Sequence, residues 1–131
     1  MIPLRKRLAF ALRGGRVSDP ANNLDQIADV FVQRGKIVGI GTAPEDFSAD
    51  HDIDARGRIV CPGLVDLSAR LREPGLEHKA TIDTETRAAA AAGITTLCCP
   101  PDTDPVIDTP AVVELIRHRS EEAGYARVVT L

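Results

Sequence analysis

The second half of the chain alternates between short apolar segments and segments with helical features, and this alternation constrains the fold more than any other feature. Strand candidates lie at 64–67, 94–99 and 127–131, and helix candidates lie at 81–92 and 109–123. A strand–helix–strand–helix–strand order predicts a parallel sheet with right-handed crossovers. We therefore predict an α/β fold for this half of the chain.

Residues with known end preferences flank both predicted helices. Thr81 and Asp83 suit the start of the first helix, and Gly93 suits the position just after its end. Thr109 and Pro110 are of the types preferred at the N-cap and the first position of the second helix. The helix limits are therefore predicted from end chemistry as well as from apolar periodicity.

The first sixty residues show a different pattern, in which short strands are punctuated by turn residues. The strand candidates lie at 8–12, 28–33, 36–40, 51–55 and 58–60. Gly14 and Gly15 are predicted to end the first strand. The Arg34–Gly35 pair predicts a hairpin between the second and third strands, and Arg56–Gly57 predicts another between the last two.

Composition and charge narrow the class of protein. The 131 residues are 44% hydrophobic and 27% charged, with a net charge of −3, which indicates a globular chain without a basic surface for nucleic acid or anionic membranes. The basic residues 5–7 precede an apolar run that is too short for a signal peptide, so we assign that run to a strand. No apolar stretch approaches the ~20 residues of a membrane span. The odd count of three cysteines, without CxxC spacing, suggests reduced thiols, and we expect a cytoplasmic protein.

The number of predicted strands is small for a closed α/β fold. A complete (β/α)8 barrel takes roughly 250 residues, and the segment after Cys61 is much shorter. The chain therefore holds either a fragment of a larger fold or an incomplete fold that needs a partner to cover its open edge.

A stretch at 62–75 resembles a motif of the dihydroorotase and allantoinase group of cyclic amidohydrolases. The family pattern is Pro-Gly, two apolar residues, D-x-H-x-H-x-R, an acidic residue and Pro-Gly, and the chain matches it at 62–66 and 72–75. Further matches in the family order lie at 15–20, 35–41, 87–96 and 104–109. The resemblance implies a small N-terminal β-sandwich at 1–60, followed at 61–131 by the first βα units of an incomplete (β/α)8 amidohydrolase barrel.

The metal-binding positions of that motif are changed. In working members the resemblance implies that both histidines bind a catalytic zinc, which activates water and polarises the scissile amide. Here these positions are Ser68 and Arg70. Serine is a poor zinc ligand, and a guanidinium is always cationic and has no lone pair to donate. Because His51, His78 and His118 form no pair at ligand spacing, we expect no zinc and no other cofactor.

The substrate-binding positions are changed in part. At 100–105 working dihydroorotases read M-P-N-T-x-P, and the resemblance implies that this asparagine and the arginine of the first motif bind substrate. Arg72 matches the arginine, whereas Asp102 replaces the asparagine and would repel a substrate carboxylate. Arg72 is either a surviving anion anchor or the salt-bridge partner of Glu73 or Asp66.

Arg70 has a possible structural role of its own. A guanidinium at the strand end supplies positive charge and five donors where a metal cation is expected to be missing. Asp66 and Asp102 are its candidate partners. The alternative is a side chain that extends into solvent.

Three functions are compatible with these features. The first is a catalytically silent dihydroorotase-like protein of pyrimidine biosynthesis. The resemblance implies that such members bind the catalytic chain of aspartate transcarbamoylase and hold an oligomeric assembly together. The second is an active cyclic amidohydrolase that hydrolyses dihydroorotate to carbamoyl aspartate with unusual metal ligands. The third is a truncated fragment without a function of its own.

Overall fold

The computed structural model describes residues 8–131, and the chain divides into two compact units between Pro62 and Gly63. The basic residues 5–7 lie outside the described part. The first unit contains β1 (Ala9–Asp19), a 3-10 turn (Pro20–Asn22), β2 (Leu24–Gln33), β3 (Lys36–Ile40), β4 (His51–Asp54) and β5 (Ile59–Val60). The second contains β6 (Leu64–Asp66), α1 (Ile82–Ala91), β7 (Ile94–Cys99), α2 (Pro110–Ala123) and β8 (Arg127–Thr130). In the described part of the chain, neither helix is long and apolar enough to cross a bilayer.

The first unit is built on one five-stranded sheet in the order β3-β2-β1-β4, with β5 also paired to β1. The predicted hairpin between β2 and β3 is confirmed, because these strands pair antiparallel. Arg34 and Gly35 at its turn have φ values of 54° and 75°. Two successive positive φ values are the feature of a type I′ turn, which matches the twist of the flanking strands.

The predicted end of the first strand is wrong. β1 runs through Gly14 and Gly15 to Asp19, and its register against β2 shifts between Leu12 and Gly15. Gly14 has a φ of 69°, a conformation that glycine adopts without steric cost. The glycines therefore form a bulge within a long strand and do not terminate it.

The second predicted hairpin is also wrong. β4 and β5 do not pair with each other, and both pair parallel with β1. The Arg56–Gly57 turn carries the chain forward along the same edge of β1. Backbone hydrogen bonds from Ala55 to the carbonyl of Arg13, and from Arg16 to the carbonyl of Arg58, each 2.9 Å long, continue the ladder across this turn.

One side of this sheet carries an ion cluster and an aromatic pair. Arg13 forms salt bridges with Asp29 and Asp52 and lies 5.2 Å from the ring centroid of Phe31, which also packs edge-on against Phe47. The backbone N–H of Gly14 and the Arg13 guanidinium lower the pKa of Asp29. Exposed isoleucines remain on the strands: Ile27, Ile37, Ile53 and Ile59. The second sheet of the predicted sandwich is not found among residues 8–62.

The second unit has the predicted strand and helix order. Its strands form a parallel sheet in the order β6-β7-β8. The apolar core contains Leu71, Ile82, Leu97, Cys99, Ile107, Val112, Ile116 and Ala126, so that residues of both helices pack with residues of the sheet. Each fully buried aliphatic side chain contributes roughly 1.5–3 kcal/mol of transfer free energy. Leu71 is 1% exposed and fixes the segment that follows β6 onto this core.

The helix ends agree with the predicted end residues in most respects. Thr81 caps α1 in a reciprocal capping box with Thr84, and the predicted Gly93 follows the end of the helix with a φ of 84°. α2 ends at Ala123, and Gly124 caps it with a φ of 68°, a position that was not predicted. Thr109 has the extended backbone of an N-cap, but its side chain makes no capping hydrogen bond. Pro110 follows it and has no N–H to cap, so the start of α2 depends on the proline.

Candidate functional site

The predicted site residues follow the carboxyl ends of β6 and β7. β6 ends at Asp66, one residue earlier than predicted, and Ser68 and Arg70 lie in the segment after it. The Asp66 carboxylate accepts a hydrogen bond of 2.9 Å from the backbone N–H of Ser68. The N–H of Ala69 donates to the carbonyl of Cys98 at 2.9 Å. The segment therefore stays attached to β7 after the strand has ended.

Arg70 and Asp102 form an ion pair across the two strand ends. The distance from Arg70 Nε to Asp102 Oδ2 is 2.8 Å, so Asp102, one of the two expected partners, pairs with the guanidinium. The other expected partner, Asp66, is bonded to the backbone of Ser68. The side chains of the pair are 62% and 41% exposed. Solvent screens such a pair, which is worth ~0.2–1 kcal/mol.

Ser68 and Arg70 line the same cavity of about 350 Å³. The remaining lining residues come from the same segment, from α1 and from the sheet: Asp66, Ala69, Leu71, Glu85, Ala88, Ala89, Ala92, Ile94 and Leu97. Ala69, which lies between Ser68 and Arg70, lines the same cavity. Because α1 supplies three of these residues, Glu85, Ala88 and Ala89, the cavity lies beside the helix.

Arg72 has an unusual backbone conformation for a residue with a side chain. Its φ is 66°, and its carbonyl accepts a hydrogen bond of 2.8 Å from the N–H of Leu76. Among residues 8–131, Arg72 forms no salt bridge with Glu73 or Asp66. Both carboxylates bond to other groups. Arg72 as a whole is half-buried, and its role as an anion anchor stays a prediction.

Glu73 has a structural role that the sequence did not reveal. Its carboxylate accepts a hydrogen bond of 2.8 Å from the backbone N–H of Ile82 and lies 3.6 Å from Arg119 Nε. The side chain is only 15% exposed. One carboxylate therefore ties the segment after β6 to the start of α1 and to α2. The nine-residue separation from Ile82 lies outside any local capping rule, so only the folded chain shows this contact.

The Pro-Gly pair of the motif packs against the segment after β7. The N–H of Asp104 donates to the carbonyl of Pro74 at 3.1 Å. Gly75 has a φ of 103°, and a Cβ added there would collide with the carbonyl oxygen of Asp104 and lie 2.6 Å from its Cβ. Thr103 is buried and donates its hydroxyl to the carbonyl of Pro105 at 2.8 Å. Only glycine fits between the two segments.

The residues at the metal-binding positions do not fit a zinc ion. Ser68 is a weak ligand, and Arg70 brings a positive charge and donors only. The carboxylate of Asp102 is already paired with that charge. Burial raises the pKa of the Cys99 thiol, which disfavours the thiolate that a metal requires. Within residues 8–131, no three His, Cys, Asp or Glu side chains lie close enough together to hold a metal.

Comparisons with known proteins agree on one family. The family model described as Dihydro-orotase-like matches residues 57–131. A dihydroorotase-like protein of Pseudomonas aeruginosa is 56% identical over 121 residues, which are 92% of this chain and 29% of that protein. A dihydroorotase of Solibacter usitatus is 47% identical over 122 residues, which are 92% of this chain and 28% of that protein. The chain thus spans less than a third of the length of these curated relatives.

A solved structure shows the same fold at lower identity. The L-hydantoinase (dihydropyrimidinase) from Arthrobacter aurescens matches with a TM-score of 0.79 and 24% identity, over 92% of this chain and 27% of that chain. At this identity the likeness concerns the fold and carries no statement about chemistry. The strands and helices described above therefore have the fold of one portion of that chain.

Proposed function

Because the chain belongs to the dihydroorotase-like family, we propose that it is part of a non-catalytic member, which acts in pyrimidine biosynthesis as a structural partner of aspartate transcarbamoylase. Residues 1–60 then correspond to the sandwich portion, and residues 61–131 to the first βα units of a (β/α)8 barrel. The remainder of the barrel comes from further polypeptide. The protein works in the cytoplasm.

The single observation that carries the non-catalytic proposal is the pairing of Arg70 with Asp102 at 2.8 Å. A cyclic amidohydrolase of this family needs a cation that polarises the amide and a water activated by it. The position that should offer a lone pair to the metal offers a guanidinium, and that guanidinium forms an ion pair with Asp102, which replaces the substrate-binding asparagine. A metal ligand and a substrate-binding group are therefore both lost.

The second unit has open sheet edges and exposed apolar side chains. β6 and β8 are the edge strands of its sheet. Leu64, Val65, Val129 and Leu131 on or beside them are exposed. Parallel sheets are normally covered on both faces, and open edges pair with further strands. Further strands, from the rest of the proposed barrel or from a partner, would cover these edges.

Metal content and turnover of the intact native polypeptide test the proposal. After dialysis against a weak chelator, mass spectrometry is expected to find far less than one zinc per chain, and dihydroorotate hydrolysis is expected to be absent. The same polypeptide is expected to co-elute with the catalytic chain of aspartate transcarbamoylase in size-exclusion chromatography. One tightly held zinc per chain, with turnover, would contradict the non-catalytic role. Separate elution would contradict the partnership.

An active enzyme is the second candidate, and one specific observation favours it. The Solibacter usitatus relative, at 47% identity, is named dihydroorotase. In this alternative the metal ligands come from polypeptide beyond the matched segment. If zinc remains bound when Cys99 and Asp102 are both replaced, its ligands lie beyond the matched segment. That result would support this candidate over the first.

A further inference from the structure

We propose that Arg70 is a positioning residue, whose guanidinium fastens the segment after β6 to the segment after β7 through Asp102. We call residues 67–80 the β6 loop and residues 100–109 the β7 loop. The inference rests on the proposed function, because it explains how a non-catalytic member holds these loops together without a shared metal.

Two kinds of contact join the loops. Pro74 and Gly75 meet the backbone of Asp104, through a hydrogen bond of 3.1 Å and through close packing. The second contact is the Arg70–Asp102 pair at 2.8 Å, nearer to the strand ends. The backbone contact depends on packing and a backbone hydrogen bond, whereas the ion pair depends on side-chain charge. This difference makes the two contributions separable by experiment.

The backbone beside each partner is held in place. Leu71, next to Arg70, is 1% exposed in the core, and Thr103, next to Asp102, is 7% exposed and bonded to Pro105. An exposed ion pair usually gains little, because two long side chains must be ordered to form it. Anchored neighbours reduce the part of that cost that comes from the backbone.

The charges of the pair are complementary at two positions that both depart from the family motif. Arg70 stands where the motif has histidine, and Asp102 stands where it has asparagine. A lone arginine or a lone aspartate at these positions would leave one charge without a partner. Together they neutralise each other at 2.8 Å. The two changes therefore compensate each other in charge.

Hydrogen exchange in the intact native polypeptide tests the proposal. The reporters are the amides of Ala69 and Asp104, which donate to Cys98 and Pro74, and the reference is the amide of Gly124, which donates to Ser120 at the end of α2. After correction for intrinsic rates, Arg70→Met and Asp102→Asn are each expected to speed reporter exchange by about two- to fivefold. The double variant is expected to exchange no faster than either single variant. The Gly124 amide is expected to keep its rate, which excludes general unfolding.

A charge swap and a salt series separate charge from packing. Arg70→Asp combined with Asp102→Arg is expected to recover most of the lost protection, and salt is expected to speed reporter exchange in the native sequence but not in Arg70→Met. Additive effects of the single variants, or no response to salt, would overturn the positioning role. If the effects of the two single variants are not additive but the native protein binds zinc and hydrolyses dihydroorotate, the proposed function is wrong and the positioning role of Arg70 still holds.

Discussion

Glu73 Oε2 lies 2.8 Å from the backbone nitrogen of Ile82, the first residue of α1. The carboxylate thus meets the positive end of the helix dipole from a segment outside the helix. It also approaches Arg119 of α2 at 3.6 Å. This one side chain therefore connects the loop that carries the motif with both helices of the second unit.

Replacing Glu73 by alanine is expected to lower the free energy of unfolding by about 1–3 kcal/mol, because a largely buried N–H and a guanidinium lose their acceptor. The matched control is Glu122→Ala, which removes an exposed carboxylate 3.5 Å from the same Arg119. That control is expected to cost less than about 0.5 kcal/mol. Urea denaturation followed by circular dichroism measures both. Equal effects would show that Glu73 acts only as a surface charge.

Gly75→Ala is expected to destabilise the second unit by about 1–3 kcal/mol more than Gly57→Ala destabilises the first, because overpacking adds to backbone strain. Both glycines have a positive φ, but a Cβ at Gly57 meets nothing within 4 Å, whereas one at Gly75 collides with Asp104. Thermal melts of the two variants provide the comparison. A similar loss of stability in both variants would show that the β7 loop can move to accommodate a Cβ at position 75.

Restoring the histidines is expected to leave the protein nearly inactive. In the combined variant Ser68→His and Arg70→His, Asp102 loses its partner and presents a free carboxylate to an anionic substrate. Further ligands must also come from outside the matched segment. Dihydroorotate hydrolysis with added zinc measures the outcome, with and without Asp102→Asn. Robust turnover by the double variant alone would show that the rest of the site is intact.

The stability of the first unit is expected to fall in acid partly through Asp54. The Arg56 guanidinium and the Arg56 backbone N–H lower the pKa of Asp54 to about 2, against a usual value of about 3.9. A depressed pKa in the folded state adds stability above the unfolded pKa. That contribution is lost as the pH falls from about 4 to about 2. Melting temperatures across this range are expected to vary less in Asp54→Asn and in Arg56→Met. An unchanged slope in both would exclude the pair as a source of acid lability.

Residues 1–131 alone are expected to associate or to melt without cooperativity. The open edges of the parallel sheet and the exposed apolar side chains Leu64, Val65, Leu67 and Leu131 drive association. Light scattering coupled to size-exclusion chromatography, over a range of concentrations, measures the mass. A monodisperse monomer with a sharp melt would show that these surfaces need no cover.

Local chemistry predicted the second unit well. The start of α2 followed from Pro110, and the strand β7 followed from its apolar run. The position of the site also followed, because parallel strands place their carboxyl ends at one edge. Asp102 was one of the two partners predicted for Arg70, the other being Asp66.

Long-range pairing caused the errors. Gly14 and Gly15 have the residue type of a strand end, yet β1 continues because β2, β4 and β5 supply partners along its whole length. The expected partners of Arg72 are occupied, because Glu73 reaches a helix that begins nine residues later. Neither contact leaves a local pattern in the sequence.

The parallel pairing of β1 has a consequence for the order in which the first unit is made. One edge of β1 pairs with β2, its neighbour in the chain, whereas the other edge pairs with β4, which is synthesised later. The contact between Ala9 and Asp50, just before β4, joins residues 41 positions apart. Synthesis proceeds at about 5–20 residues per second, and domains fold as their parts emerge. A nascent chain therefore carries the β1–β2–β3 meander with a bare outer edge until residue 60 has left the ribosome. In that interval the outer edge of β1 presents unpaired backbone groups, which are a template for pairing with another strand.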